Sequence, residues 1–167
     1  GGGVYTYTPA QEIDIVNTVF QANTADSDDG GAIAVEAEVE ETASGDTIYH
    51  KATAYITHCT FHDNDIHFDG TARRGLAIYT VGADAYIDSC AFTGHEEEKP
   101  VIESNVLGSI SGGNYTPSAV EIEWSAFFDN GAIEYRGQYV LNALRDDPHY
   151  VQSDTSLDPY QWDFRLM

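Results

Sequence analysis

Positive charge is what this chain has least of. Seven Lys and Arg stand against 28 Asp and Glu, a formal net charge of −21 over 167 residues. A surface this acidic repels nucleic-acid phosphates and anionic lipid headgroups, so direct binding to DNA, RNA or an acidic membrane surface is not expected. No apolar run approaches the ~20 residues of a membrane-spanning helix, so membrane insertion is not expected either. Two cysteines alone do not set the redox compartment. Also missing are a nucleophile elbow, a phosphate-binding loop, a dinucleotide fingerprint and a metal-protease motif. The opening Gly1-Gly2-Gly3-Val4 has no Met, no basic region and no apolar region, and reads as a processed end or a boundary chosen for expression.

What is present argues against disorder. Hydrophobic residues make up 42%, with 11 Tyr and 7 Phe, too apolar and aromatic for an acidic tail. A chain of this length can bury roughly 70% of its unfolded surface around one core, so one domain is expected.

One motif occurs four times. The copies are Ile13-x-Ile15-x-x-Thr18-x-Phe20-x-x-Asn23, Ala54-x-Ile56-x-x-Cys59-x-Phe61-x-x-Asn64, Ala85-x-Ile87-x-x-Cys90-x-Phe92-x-x-His95 and Val120-x-Ile122-x-x-Ser125-x-Phe127-x-x-Asn130. The internal spacing is constant, while the phenylalanines lie 41, 31 and 35 residues apart, so insertions fall between motifs. Three copies are followed by a Gly-led apolar stretch: Gly30-Gly31-Ala32-Ile33-Ala34-Val35, Gly75-Leu76-Ala77-Ile78-Tyr79 and Gly131-Ala132-Ile133-Glu134-Tyr135. The third copy has Pro100-Val101-Ile102 there instead.

Alternating apolar residues make each motif a short strand with one buried face, and the offset before Thr or Cys marks a bend. Two or three short strands per repeat are the coils of a solenoid, in which each repeat buries its apolar face only against its neighbours. The expected core stack is Ile15, Ile56, Ile87 and Ile122 beside Phe20, Phe61, Phe92 and Phe127, about 4.8 Å apart. A β-sandwich with look-alike strands is the competing architecture, but sandwich strands have no reason to share a ten-residue pattern.

Two further columns follow from the same spacing. Asn23, Asn64, His95 and Asn130 take the turn position after Phe, where Asn tolerates a left-handed backbone and passes amide hydrogen bonds along a ladder. His95 there is either a break in the ladder or a ligand. Thr18, Cys59, Cys90 and Ser125 form a small-residue column that sets Cys59 beside Cys90. Their Cα atoms fall near disulfide range but their Cβ vectors run side by side, so the pair is either two stacked thiols or, after adjustment, a disulfide.

The insertions carry the acid. Residues 36–46 alternate as a strand with one solvated acidic face, and Glu96-Glu97-Glu98-Lys99-Pro100 is a loop tip. Asp26, Asp28 and Asp29, followed by Gly30, are the one candidate Ca²⁺ loop, without the spacing or distal Glu of an EF-hand. Asn114-Tyr115-Thr116 fits the glycosylation sequon.

The pattern Ile-x-x-Cys-x-Phe-x-x-Asn followed by Gly-Gly-Ala-Ile resembles the right-handed parallel β-helix repeat family of secreted and cell-surface proteins. Polymorphic outer-membrane proteins carry similar Gly-Gly-Ala-Ile and Phe-x-x-Asn repeats. Asp147-Pro148-His149-Tyr150-Val151 with Asp163-Phe164-Arg165-Leu166 resembles the segment that closes many such helices. Together these cover roughly residues 11–166. The resemblance implies an all-β, right-handed parallel β-helix of about four coils with long loop insertions, extracellular or at the cell surface. It is poor for activity, since the family spans adhesins, envelope proteins, lyases and hydrolases.

Three function classes compete. Outward positions of the motif include Asp14, Asp88, Glu121, Glu123 and His58, with His62, Asp63 and Asp129 after Phe, so carboxylates for a polysaccharide lyase or hydrolase are available. A polyanionic glycan would, however, be repelled by a −21 surface unless Ca²⁺ bridged the two. Tyr49, Tyr55, Tyr79, Tyr86, Tyr135 and Tyr139 offer stacking platforms for a glycan or host surface if they line up on one outward face. A short solenoid with open ends favours self-assembly, head-to-tail or lateral. The expected organisation is a Tyr-rich lead over 1–10, coils over 11–140 and a closing segment over 141–167. The expected function is a non-catalytic structural unit of an extracellular filament, sheath or envelope layer, with no cofactor beyond the candidate Ca²⁺.

Overall fold

A computed structural model describes residues 2–7, 11–26, 29–67, 75–95, 99–109, 114–130, 135–136, 150–152 and 163–166. All regular elements among them are strands. Three parallel sheets dominate. Sheet A contains Val4–Tyr7, Ile33–Glu36, Ile78–Val81, Ile102–Asn105 and Tyr135–Arg136. Sheet B contains Glu12–Val16, Thr53–Thr57, Asp84–Asp88 and Val120–Glu123; sheet C contains Val19–Gln21, Thr60–His62, Ala91–Thr93 and Ala126–Phe128. Along the chain the strands run A, B, C and then again, and each sheet orders its strands as the sequence does.

The register sets every motif residue on its counterpart. Ile15 pairs with Ile56, Ile56 with Ile87 and Ile87 with Ile122 in sheet B; Phe20, Phe61, Phe92 and Phe127 pair in the same way in sheet C. The four phenyl rings stack at centroid separations of 5.0, 4.7 and 4.8 Å, with planes within 9° of parallel. The Ile and Phe columns share one core with the inward residues of sheet A, among them Ile33, Val35, Ile78 and Ile102. Ile15 is only partly buried and packs against this core from the first repeat.

Sheet A holds one correction and one addition to the repeat. Ile102 takes the place of Ile78 one level on, so Pro100-Val101-Ile102 is a full member. At the next level Tyr135, not Ile133, faces Ile102; residues 131–134 lie outside those described. The N-terminal Tyr/Thr segment pairs with the chain's own Ile33–Glu36, with Val4 opposite Ile33. The Gly2 and Gly3 amides donate to the carbonyls of Gly30, Gly31 and Ala32. Gly2-Gly3-Val4 is thus an earlier copy of Gly31-Ala32-Ile33, in the segment expected to be only a Tyr-rich lead.

Two stacked corners turn the chain. Asn17, His58, Ser89 and Trp124 join sheet B to sheet C with φ between 48° and 54°. Ala22, Asp63, Gly94 and Asp129 follow sheet C, also with positive φ. The left-handed residue therefore precedes Asn23, Asn64, His95 and Asn130 instead of coinciding with them. The bend must occur before the ladder side chain for that side chain to point along the stack. For Ala, His and Trp a left-handed backbone costs about 1–2 kcal/mol each, tolerated because bonded neighbours on the stack fix the turn.

The joins from sheet A to sheet B differ most. In the third level only Gly82 and Ala83 intervene, whereas the second and fourth levels extend antiparallel hairpins, Glu38–Glu41 with Thr47–His50 and Leu107–Ser109 with Asn114–Thr116. Gly82 sits between the hairpin bases at φ 62°, where a Cβ would lie 2.8 Å from Leu107 Cβ and 3.0 Å from Ala37 Cβ. In the closing segment, Tyr150–Gln152 pairs antiparallel with Asp163–Leu166.

Replacing Phe61 with Asp places a carboxylate between two phenyl rings and is expected to destabilise the fold by more than about 4 kcal/mol. A thermal melt monitored by near-ultraviolet circular dichroism checks this; a variant melting like the parent would show the column to be misassigned.

Candidate functional site

The polar columns inside the stack come first, because they decide which side chains are structural. Asn64 Oδ1 accepts from both the backbone N–H and the side-chain amide of Asn23, at 3.1 and 2.9 Å, while Asn64 Nδ2 donates to the Phe20 carbonyl at 3.0 Å. Asn130 repeats this under His95. Its Oδ1 accepts from the His95 backbone N–H at 3.2 Å and from His95 Nδ1 at 2.8 Å, and its Nδ2 donates to the Phe92 carbonyl at 2.7 Å. His95 therefore carries its proton on Nδ1. Its Nε2 is buried and has no hydrogen-bond partner among the described residues. The ladder continues from His95 to Asn130 and is interrupted between Asn64 and His95.

The small-residue column works by a related rule. The side chains of Cys90 and Ser125 accept the backbone N–H of the equivalent residue one level earlier: Cys59 N–H to Cys90 Sγ at 3.3 Å, and Cys90 N–H to Ser125 Oγ at 3.1 Å. In this column the side chain also donates to the carbonyl two residues before it, as Ser125 does to Glu123 at 2.9 Å and Thr18 to Val16 at 3.0 Å. Cys59 and Cys90 are buried free thiols, so of the two arrangements open to this pair the structure has the stacked one. The hydrogen bond to Cys59, reinforced by burial, pushes the Cys90 thiol up.

A feature that motif spacing alone did not single out surrounds Gly94. His62 Nδ1 lies 3.0 Å from Thr93 Oγ1, and a Cβ on Gly94 would sit 2.8 Å from the imidazole Cε1. Burial holds His62 below the usual imidazole range, against the opposing pull of Asp63 and Asp129. The signal was present: glycine stands at the third of four equivalent corners, between levels that have aspartate there, Asp63 and Asp129.

The outward columns distinguish one sheet. In the middle strands of sheet A the outward residues Ala34, Tyr79 and Glu103 are buried, and in those of sheet C so are Thr60, His62, Ala91 and Thr93, while the end strands leave Tyr5, Tyr7, Val19 and Phe128 exposed. Sheet B keeps its outer face open. Its central outward column runs Asp14, Tyr55, Tyr86, Glu121 in register. Tyr55 and Tyr86 stack at 5.2 Å and 13°. On either side lie Glu12, Thr53 and Asp84, and Val16, Thr57, Asp88 and Glu123. Asp84 receives Lys51 Nζ at 2.7 Å and the Ala119 N–H at 2.8 Å, which ties it to the bases of both hairpins. Burial first, then the nearby Asp84 and Glu121 carboxylates, raise the Tyr86 hydroxyl above the usual phenol range. The face thus offers an aromatic pair bounded by carboxylates.

The remaining candidates are scattered. Asp26 is exposed and Asp29 half-buried, while Asp28 lies outside the described residues. Asn114 begins the outer strand of the second hairpin, with its side chain outside those described. His58 occupies an exposed corner, and Tyr49 pairs with Val39 on the first hairpin. Tyr139 lies outside the described residues.

Two measurements test the interior columns. Ellman's reagent is expected to titrate no thiol in the folded chain and both after unfolding without reductant; a disulfide would leave both unreactive in either state. Burial chiefly, against the Asn130 hydrogen bond, lowers His95 from 6.5 to about 4. The unfolded chain then binds this proton first, so the contribution is full above about pH 6.5 and is lost as pH falls towards 4, about 3 kcal/mol in all. His95→Asn is expected to flatten stability between pH 6.5 and 4 in urea melts, and to raise it at pH 7 by about 1 kcal/mol by completing the ladder. An unchanged pH slope would refute the assignment.

The chain matches none of the protein-family models, none of the curated proteins and none of the solved structures with which it was compared.

Proposed function

We propose that this chain is a non-catalytic extracellular structural protein, a right-handed parallel β-helix of about four coils that self-assembles through its N-terminal coil. The A-B-C strand order, repeated in register, supports the β-helix; the resemblance of the motif to secreted β-helix repeats supports the location. The observation that carries the assembly reading is the asymmetry of the two ends. At the first coil, Glu12–Val16 and Val19–Gln21 are edge strands of sheets B and C among the described residues. Val16 and Val19 are 50% and 52% exposed on the outer faces of these strands, and the inward Ile13 and Ile15 are only partly buried, whereas their counterparts Val120 and Ile122 of the last motif are fully buried. A parallel edge with apolar side chains is a template for another coil, and a second copy of the chain supplies one. Glu12 and Asp14 guard part of this edge by charge, so contact between two −21 molecules requires screening or a bridging cation. Asp26, Asp28 and Asp29 are the residues proposed to bind Ca²⁺ in that role.

Sedimentation velocity and negative-stain imaging across a salt series, with Ca²⁺ and then with chelator, test this. Association is expected to grow as salt rises, to strengthen with Ca²⁺, and to be lost in Val16→Glu/Val19→Glu. Filaments would mark a propagating contact, and a closed pair a twofold one. A monomer under every condition would end the assembly reading.

A further inference from the structure

We propose that the outer face of sheet B is a docking surface for an extended polypeptide segment bearing two arginines four residues apart. The proposal does not rest on self-assembly, since it uses the lateral face, although its Asp14 stands on the edge strand of the first coil.

Charge on this face is unusually one-sided. Of its outward side chains, Glu12, Asp14, Asp84, Asp88, Glu121 and Glu123 are carboxylates, and among the described residues only Asp84 has a cationic partner, Lys51. Asp88 and Glu123 are directly opposed across neighbouring strands. Such a like-charge pair is destabilising in a sheet, where a neutral or basic residue would serve stability better. A cationic partner offsets that repulsion.

The aromatic pair sets the kind of cation. Tyr55 and Tyr86 turn one ring face each towards the other, which leaves two outer faces, one towards Asp14 and one towards Glu121. Each outer face therefore meets a carboxylate one strand away, about 4.8 Å along the stack. A flat cation laid over the ring would meet the π face and the carboxylate together. Guanidinium is planar, stacks on tyrosine and pairs bidentately with carboxylates, where an ammonium does neither as well. Asp14 and Glu121 lie three strand spacings apart, about 14 Å. Four residues of extended chain span about 13 Å and return side chains to the same side, since extended chain has a period of two. A sugar ring, by contrast, has no continuous platform here, because the stacked tyrosines do not present their faces side by side.

The test is a titration of ¹⁵N-labelled protein with a blocked pentapeptide carrying arginine at its first and fifth positions, at low salt and then at 0.3 M NaCl. Shifts are expected at Asp14, Tyr55, Tyr86 and Glu121, with affinity falling as salt rises. Asp14→Asn/Glu121→Gln should weaken binding about tenfold or more. Tyr55→Leu/Tyr86→Leu, which leaves the charge unchanged, should weaken it about fivefold. Glu40→Gln/Glu41→Gln removes the same charge from the first hairpin and should stay within about twofold of the parent. Circular dichroism melts confirm that each variant is folded. The proposal would be overturned by shifts spread over the whole acidic surface, by a hairpin control as damaging as the face variant, or by no binding at low salt. Binding of a neutral oligosaccharide to this face in preference to the peptide would overturn it in favour of a glycan.

Discussion

Parallel, in-register hydrogen bonding is the constraint on which the other features of this protein depend. Strands bonded in this way sit about 4.8 Å apart with equivalent residues superposed, so every position along a repeat becomes a column. Phe61 has a phenyl ring above and below it at 5.0 and 4.7 Å because the backbone register leaves no other arrangement. Ten residues of shared pattern are the direct consequence: a residue that differs from its column partners meets the wrong neighbours on two sides.

The same rule explains how the interior tolerates polar groups. Asn64 and Asn130 satisfy a backbone amide and a carbonyl of the adjoining level with a single side chain. Thr18, Cys59, Cys90 and Ser125 sit at the other corner, where Cys90 and Ser125 each bond the amide one level back. These bonds hold left-handed corners at residues such as Ala22 and Trp124 that would not adopt them alone. Where a column changes chemistry, the defect is local and visible. His95 keeps its bonds to Asn130 and leaves Nε2 without a partner on the other side.

Column identity is relaxed outside the core. The joins from sheet A to sheet B range from two residues to full hairpins, and the outward column of sheet B changes from Asp14 to Tyr55, Tyr86 and Glu121. Neither the hairpins nor that column are demanded by the core. The central outer residues of sheets A and C, among them Tyr79, Glu103 and His62, are buried, whereas the outer column of sheet B keeps Asp14, Tyr86 and Glu121 exposed.

By itself the sequence determined the repeat, its inward columns and its total charge. Ile15 to Ile122 and Phe20 to Phe127 were legible because each recurs at constant spacing and serves a local strand pattern. Gly2-Gly3-Val4 was harder to place, since one copy with two glycines looks like a flexible lead until its partner Ile33 is known. Which residue takes the left-handed turn, Asp63 or Asn64, was not legible either, because both residue types favour it. Only the tertiary structure decided that Tyr135, not Ile133, faces Ile102 on sheet A and that Tyr55 and Tyr86 share an outward stack between carboxylates. It also set Cys59 and Cys90 one above the other as buried, unbonded side chains. The reason is physical: spacing within a repeat is written in one stretch of chain, but what lies beside a residue is set by hydrogen bonds between levels 31 to 41 residues apart.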